Sequence, residues 1–396
     1  MAVHQNGVSR EELIQRASNL VPTLKQRAPE TENVRQIPLE TVSDLRSLGL
    51  LSIPAPQRYG GFSHDIDLMF EVAMQIARGC GSAGWCYSVW SIHNWMLGFW
   101  PEEAQEEYFA SGPDTLSSSA FAPTGTLTPV DGGFRLTGRW QFSSGSDPAT
   151  WVMLGALGQT GPCMALLPRS DYEIVDTWFV SGLRGTGSKD IVVNGAFVPG
   201  HRIGAIMGEV RDSRAFDLHG RASYRLPPMS LLPFTLCSPL VGMAEGAIEE
   251  FTGRLKGRLG PGRTAESVAL QLRLAESAAE VDAARLLVKT ATRELIDGAA
   301  RGEFPDQLGL AATRRRYAYV ARLCVQAVNR LFDASGGHSL YDSEPMQRYH
   351  RDVHAGSHQA ALYWDPIAEA YGRVALGLPA SNPFAGLQTS PKEGTK

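Results

Sequence analysis

The sequence predicts an α+β protein in three segments. They are a helical N-terminal domain over residues 1–113, a central antiparallel, barrel-like β domain over 114–225, and a C-terminal four-helix bundle over 226–387. Three observations predict this. Apolar residues recur at helical spacing on both flanks. From Thr115 to about Ile203 the texture changes to short β-branched and aromatic runs between turn signals. The last third carries long runs rich in Ala, Leu, Glu and Arg, which pack as bundles.

Each element has its own signal. Glu11 and Glu12 open an amphipathic run, and Pro38 starts another with Leu39, Val42, Leu45 and Leu48 on one face. Pro54, Pro56, Gly60 and Gly61 break it. Helical patterning resumes from about Asp65 to Ala110. In the β segment, Asp131-Gly132-Gly133 marks a hairpin. Trp151–Leu154 and Met164–Leu167 read as buried strands. Asp190–Val193 and Ala196–Val198 read as strands joined by a turn at Asn194-Gly195. Arg211–Arg225 is a polar connection without a clear period. Ala265–Ala300 predicts a long helix with Val268, Leu272, Val281, Leu286 and Leu287 on its apolar face. Thr313–Ala334 predicts a second, stopped by Gly336-Gly337, and His350–Tyr371 a third. Residues 388–396 read as a disordered tail.

Composition narrows the function. With 43% hydrophobic and 20% charged residues the chain is an ordinary globular protein, and a net charge of −4 argues against a nucleic-acid partner. Arg314–Arg316 opens an apolar run and reads as a solvated helix end. Cys80, Cys86, Cys163, Cys237 and Cys324 form no C-x-x-C pair and are odd in number. This suits a reducing cytoplasm and predicts neither disulfides nor a metal site. Met1–Arg16 has no apolar signal core. Gly79–Pro101 lacks Asp, Glu, Lys and Arg, as a membrane span would. Ser82, Ser88, Ser91, His93 and Asn94 make it too polar for one, and it reads as a buried helix lining a pocket. No membrane partner is expected.

Four motifs occur in order: Tyr59-Gly-Gly61, Phe121-Ala-Pro-Thr-Gly125, Gly182–Ser188 followed by Phe197-Val-Pro199, and Tyr349-His-Arg-Asp352. With the helix–β–helix order, these resemble the acyl-CoA dehydrogenase superfamily of flavoproteins from roughly Pro38 to Tyr371. Many of those dehydrogenases carry a catalytic glutamate just past the Arg-Asp pair. Here Val353 to Trp364 holds no carboxylate, but His354 and His358 instead. The departures resemble a different branch, the two-component, reduced-flavin-dependent aromatic monooxygenases. The likeness lies at Gly84-Trp85, Ile92-His93, the serines before Phe121, Phe142-Ser-Ser-Gly145 and Arg351–His358. The resemblance implies an oxygenase that takes reduced FMN or FAD (FMNH2 or FADH2), uses O2, and hydroxylates a phenolic ring through a flavin C4a-hydroperoxide. It also implies a separate NAD(P)H-dependent flavin reductase and a homotetramer. The rival readings are an N- or S-oxygenating relative of the same fold, an acyl-CoA dehydrogenase, and a non-enzymatic flavin-binding protein. The last has no positive sequence support.

The resemblance also implies roles for single residues. Ser144 would stand beside the flavin N5; the alternative is a turn serine bonded to its own backbone. His93 would deprotonate or orient the phenol; set among Ile92, Trp95 and Met96, it could equally be a satisfied core histidine. Ser119 would give a second polar contact to the substrate hydroxyl, with Ser117 and Ser118 as substitutes and a plain strand hydroxyl as the alternative. Trp85 would wall the pocket or belong to the core, and Trp85, Trp90 and Trp95 suggest a flat, polycyclic substrate. His358 would serve the peroxide or flavin edge, with His354 one helical turn away as its twin. Phe121, Ala122 and Phe142 would line the cofactor. Of Arg254, Arg258 and Arg263, Arg258 is the choice for the flavin phosphate; ordinary solvated arginines are the alternative. Gly336 and Gly337 would admit another subunit's backbone to the cofactor, or simply stop a helix. The Gly182–Gly187 run precedes a strand and not a helix, so it is no dinucleotide loop. No nicotinamide fingerprint is visible elsewhere, in keeping with a separate reductase.

Overall fold

The computed structural model describes residues 7–62, 64–158, 161–205, 214–257 and 264–381. Helix α1 (Arg10–Val34) starts at Ser9, whose hydroxyl accepts the Glu12 N–H, and α2 (Leu39–Ser47) follows Pro38. Helices α3 (Asp67–Gly79) and α4 (Gly81–Met96) meet at Cys80, which is extended. They cross closely because of small residues: a Cβ at Gly84 would lie 2.4 Å from the Ala77 Cβ. Every residue of α4 is buried, as its lack of charge predicted. Helix α5 (Glu102–Phe109) closes the N-terminal segment.

The middle segment is one sheet of β1 (Ser117–Val130), β2 (Gly133–Ser143), β3 (Trp151–Gly158), β4 (Gly161–Pro168), β5 (Glu173–Val175), β6 (Lys189–Pro199) and β7 (Ile203–Ala205). The strand order is β5-β6-β2-β1-β3-β4-β7. The expected hairpin at Asp131-Gly132 joins β1 to β2, with Gly132 at φ 75°. Two expectations are corrected. The sheet is mixed, not wholly antiparallel, because β1 and β3 run parallel. Asn194-Gly195 is a bulge within β6 and not a turn. Leu136 faces Ala196 while Thr137 faces Asn194, so Gly195, at φ 72°, is the extra residue.

After α6 (Arg214–His219), the chain forms α7 (Pro228–Gly257), α8 (Val268–Arg301), α9 (Gln307–Ala334), α10 (Pro345–Ser357) and α11 (Trp364–Ala375). Helices α7 to α10 pack as the expected bundle, and α11 lies on α9. The stretch expected as one helix over His350–Tyr371 is two. Helix α10 ends at Ser357, and a short 3-10 turn at Ala360–Leu362 separates it from α11. Residues Pro228–Lys256 are long and apolar enough to cross a membrane, but 78% of their most apolar window is buried inside the protein.

Two main cores result. Side chains of α1 to α4 and of α7 to α10 form one continuous cluster, so the two helical segments share an interior. The sheet keeps its own core of Leu127, Leu136, Trp140, Val152, Leu154, Ile191 and Val193. Period-two alternation turns Met153, between Val152 and Leu154, to the opposite face, where it packs with Met164 and Leu166 against Trp100 and Tyr108.

Candidate functional site

Helix α4, the start of β1, the end of β2 and the loop before β6 converge on the seam between these cores. Trp85, on α4, donates its indole N–H to Ser144 Oγ at 3.2 Å. Ser144 Oγ lies 2.7 Å from Ser188 Oγ, and Ser188 Oγ lies 2.7 Å from Thr186 Oγ1. Thr186 donates its hydroxyl proton to the Leu183 carbonyl at 2.8 Å. Ser144 is therefore not a turn serine bonded to its own backbone. Its hydroxyl reaches across to a helix on one side and a loop on the other. Pairing of Ser143 with Lys189 brings the β2 end and the loop together.

The backbone here is unusual. Phe142 sits at φ 66°, a region that side chains rarely adopt, and the residue is 68% exposed. Gly145 at φ 68° donates its N–H to the Thr186 carbonyl at 2.8 Å and accepts the Trp90 indole N–H at 3.0 Å. Leu183 is a second left-handed residue, at φ 52°, and its N–H is held by Asp352 of α10. Burial pushes the Asp352 carboxyl up to about 6, against the Leu183 hydrogen bond that favours its ionised form.

His93, two turns along α4 from Trp85, is buried, and burial pushes its imidazole down to about 4. Its Nδ1 lies 2.8 Å from the Ser117 carbonyl. A carbonyl only accepts, so Nδ1 carries the proton and Nε2 holds the lone pair. Ser117 is fixed in turn by Tyr108, whose hydroxyl lies 3.0 Å from Ser117 Oγ and 2.8 Å from Asn94 Oδ1. Ser119 is buried two residues further along β1, and Ser118 Oγ between them is buried without a partner. The His93 and Phe121 rings are 6.5 Å apart. At Phe121 the strand leaves its ladder: Ala120 faces Leu154, and the next pair is Gly125 with Ala156. The bulge leaves Ala122, Pro123 and Thr124 exposed.

The structure thus brings Trp85 and Ser144 into direct contact and sets His93 beside Ser117 and Phe121, with Ser119 buried between those two on β1. The other expected residues stand apart. His358 is exposed at the end of α10, donating its Nδ1–H to the His354 carbonyl at 2.7 Å. His354 donates its Nε2–H to Asn329 Oδ1 at 2.7 Å, and burial lowers its pKa. No hydrogen bond or ring contact links either histidine to His93 or Ser144 among the described residues. Gly336 and Gly337 are exposed, and a Cβ on either would meet no atom of this chain within 4 Å. Arg258 and Arg263 lie outside the described residues. Arg254 faces Glu344 at 3.5 Å, with both terminal nitrogens buried and without a hydrogen bond. No cluster of three or more His, Cys, Asp or Glu suited to a metal occurs among the described residues.

Sequence reasoning gave no role to Thr186, Ser188 or Tyr108, and noted Asp352 only within the Tyr349–Asp352 motif. The Gly182–Ser188 motif was the one available signal for the first two.

Residues 10–112 match the family described as acyl-CoA dehydrogenase, N-terminal domain, and residues 234–363 match acyl-CoA dehydrogenase, C-terminal domain. The chain is 36% identical over 378 residues to the oxygenase subunit HsaA of a flavin-dependent monooxygenase from Mycobacterium tuberculosis, covering 91% of this chain and 94% of that protein. It is 33% identical over 390 residues to the oxygenase component of an FADH(2)-dependent resorcinol hydroxylase from Rhizobium sp., covering 92% and 94%. The crystal structure of the M. tuberculosis HsaA monooxygenase superposes with a TM-score of 0.89 at 34% identity, over 95% of this chain and all of that one.

Proposed function

The chain belongs to the acyl-CoA dehydrogenase family, among its flavin-dependent monooxygenase oxygenase components, and from that premise we propose that it hydroxylates a phenolic ring. Reduced FMN or FAD comes from a separate NAD(P)H-dependent flavin reductase, and O2 supplies the oxygen atom. The residues present fit a flavin ring. The β1 bulge leaves Ala122, Pro123 and Thr124 exposed, Phe142 is exposed on a strained backbone, and Ser144, two residues on, accepts the Trp85 N–H from α4. When bound, the reduced flavin supplies the electrons and the carbon that activates oxygen.

The chain's own residues bind, orient and move a proton. The observation that carries the reading is the tautomer of His93. Burial keeps the imidazole neutral, and the Ser117 carbonyl fixes its proton on Nδ1, so Nε2 accepts a hydrogen bond from a phenol. Transfer of that proton makes an imidazolium beside a phenolate. The two opposite charges stabilise each other where a lone imidazolium is disfavoured. Ser119 would bond the same hydroxyl, and Trp85 would form the apolar wall. Ser144 bonds the flavin N5, and Phe121, Ala122 and Phe142 line the ring.

The remaining assignments stand as proposals. His358 would stand at the flavin edge, and Arg258 would hold its phosphate. Gly336 and Gly337 meet a neighbouring subunit in a homotetramer. Support for assembly comes from α8, where Val268, Leu272 and Leu286 are more than 60% exposed. Light scattering that found an active monomer would overturn it. The unpaired cysteines support a cytoplasmic setting.

The test is to equilibrate the protein anaerobically with reduced FMN or FAD, then add 18O2 and a panel of phenols. The expected product is a catechol carrying one labelled oxygen. Reduction of oxidised flavin by an acyl-CoA thioester, with no labelled catechol, would overturn the reading.

A further inference from the structure

The hydroxyl chain from Trp85 to Leu183 has a direction. Each serine or threonine hydroxyl has one proton and two lone pairs. Thr186 spends its proton on the Leu183 carbonyl, so it can only accept from Ser188. Ser188, its proton committed to Thr186, can only accept from Ser144. Ser144 receives the Trp85 N–H on one lone pair and sends its proton to Ser188. One lone pair of Ser144 is left, and no proton.

We propose that Thr186 and Ser188 are positioning residues that make Ser144 a pure hydrogen-bond acceptor, and that this polarity selects reduced over oxidised flavin. The inference rests on the reading that Ser144 faces the flavin N5. In reduced flavin N5 bears a hydrogen and donates; in oxidised flavin N5 has only a lone pair and needs a donor. With reduced flavin, all four bonds of the chain persist and the N5–H adds a fifth to the free lone pair of Ser144. With oxidised flavin, Ser144 must turn its proton to N5. Ser188 must then donate to Ser144 and Thr186 to Ser188, and the bond to the Leu183 carbonyl is lost. The difference is one hydrogen bond, worth roughly a threefold to tenfold preference.

The same count predicts what happens when the chain is cut at its far end. In Thr186→Val the anchor is gone, at nearly constant shape. Ser144 and Ser188 then share one bond in either direction, and reduced and oxidised flavin each complete the same number. Thr186→Ser keeps the hydroxyl and should restore the bias. Thr186 is one hydroxyl removed from Ser144 and makes no bond to it, so loss of direct flavin contact does not explain the outcome.

The experiment is anaerobic titration of the full chain with FMN and with FAD, each oxidised and dithionite-reduced, followed by fluorescence or calorimetry. It compares wild type, Thr186→Val and Thr186→Ser, with a thermal melt of each. The expected result is a ratio of the two dissociation constants that shrinks roughly threefold to tenfold in Thr186→Val and returns in Thr186→Ser. A ratio unchanged in a folded Thr186→Val overturns the inference and leaves the flavin reading intact. So does a ratio that shrinks equally in Thr186→Ser. A wild type that binds neither form of FMN nor of FAD sinks the flavin reading itself. If Thr186→Val fails to fold, Ser188→Ala, which breaks the chain one link nearer, decides by the same ratio.

Discussion

Asp352 and Leu183 lie 169 positions apart, and one short hydrogen bond of 2.6 Å joins them. Through it, α10 of the bundle grips the loop on which the hydroxyl chain ends. The Leu183 carbonyl then accepts from Thr186 and from the Trp178 indole, so one residue is held on its N–H side by a helix and on its carbonyl side by the site. Its left-handed backbone is kept in place by these bonds.

That grip should be sensitive to pH. The Asp352 carboxyl titrates near 6 when folded, above the ordinary aspartate range, chiefly because of burial. The folded protein therefore holds this proton more tightly than the unfolded chain does. The contribution to stability is greatest below about pH 4 and is lost as pH rises through 6. Asp352→Asn keeps an acceptor for Leu183 and has no charge to lose. Melting wild type and variant side by side from pH 4.5 to 7 should show wild type losing ground to the variant as pH rises. A constant gap would contradict the assigned shift.

His93 shifts the other way. Its imidazole falls from an ordinary value near 6.5 to about 4 because it is buried. It stays neutral across the working range, and its stabilising contribution is lost only as pH falls below 6.5 towards 4. Imidazole resonances followed by NMR should show no titration of His93 between pH 5.5 and 8. A midpoint near 6.5 would mean that the ring is not enclosed as described.

Replacing His93 by Ala should leave binding of reduced flavin unchanged and slow product formation by ~10²-fold, as expected for losing an acid–base group. Weakened flavin binding with an unaltered oxygenation rate would place His93 on the cofactor rather than the substrate.

Ser144→Ala removes the acceptor at the centre of the chain. We expect the fraction of O2 released as hydrogen peroxide, instead of appearing in product, to rise roughly threefold to tenfold, the worth of one hydrogen bond. Oxygen consumption and product measured together give the ratio. Coupling equal to wild type would remove Ser144 from its assigned place.

Gly145→Ala meets two obstacles at once. The residue is left-handed, costing about 1 kcal/mol for a side chain, and its Cβ would lie 2.4 Å from the Trp90 indole nitrogen. A clearly lower denaturation midpoint is expected. An unchanged midpoint would show that Trp90 is free to move and does not brace the turn.

The helix–sheet–helix order was legible because hydrophobic period changes from 3.6 to 2 and back along the chain. Individual joints were not. Asn194-Gly195 has the composition of a turn, but β2 continues beside it and absorbs the extra residue as a bulge. The break after Ser357 carries neither Gly nor Pro between His358 and Trp364 to announce it. In the site, Trp85, His93 and Ser144 were legible through motifs. Ser188 was not singled out, because its partner lies 44 residues away in the turn after β2 and a serine alone carries no periodic signal. Asp352 was noticed as half of an Arg-Asp pair, but its bond to a backbone amide of the β segment exists only once the chain is folded.

The separate interiors of the sheet and the helices have a consequence for motion. Trp85 and Leu183 belong to the helical core, while Ser144 and Ser188 lie at the ends of β2 and β6, so the hydroxyl chain ties the edge of one interior to the other. Such a boundary opens at a free energy below that of global unfolding. The amides of Leu183 and Gly145 should exchange with deuterium sooner than those of Ile191 and Val193 inside the sheet.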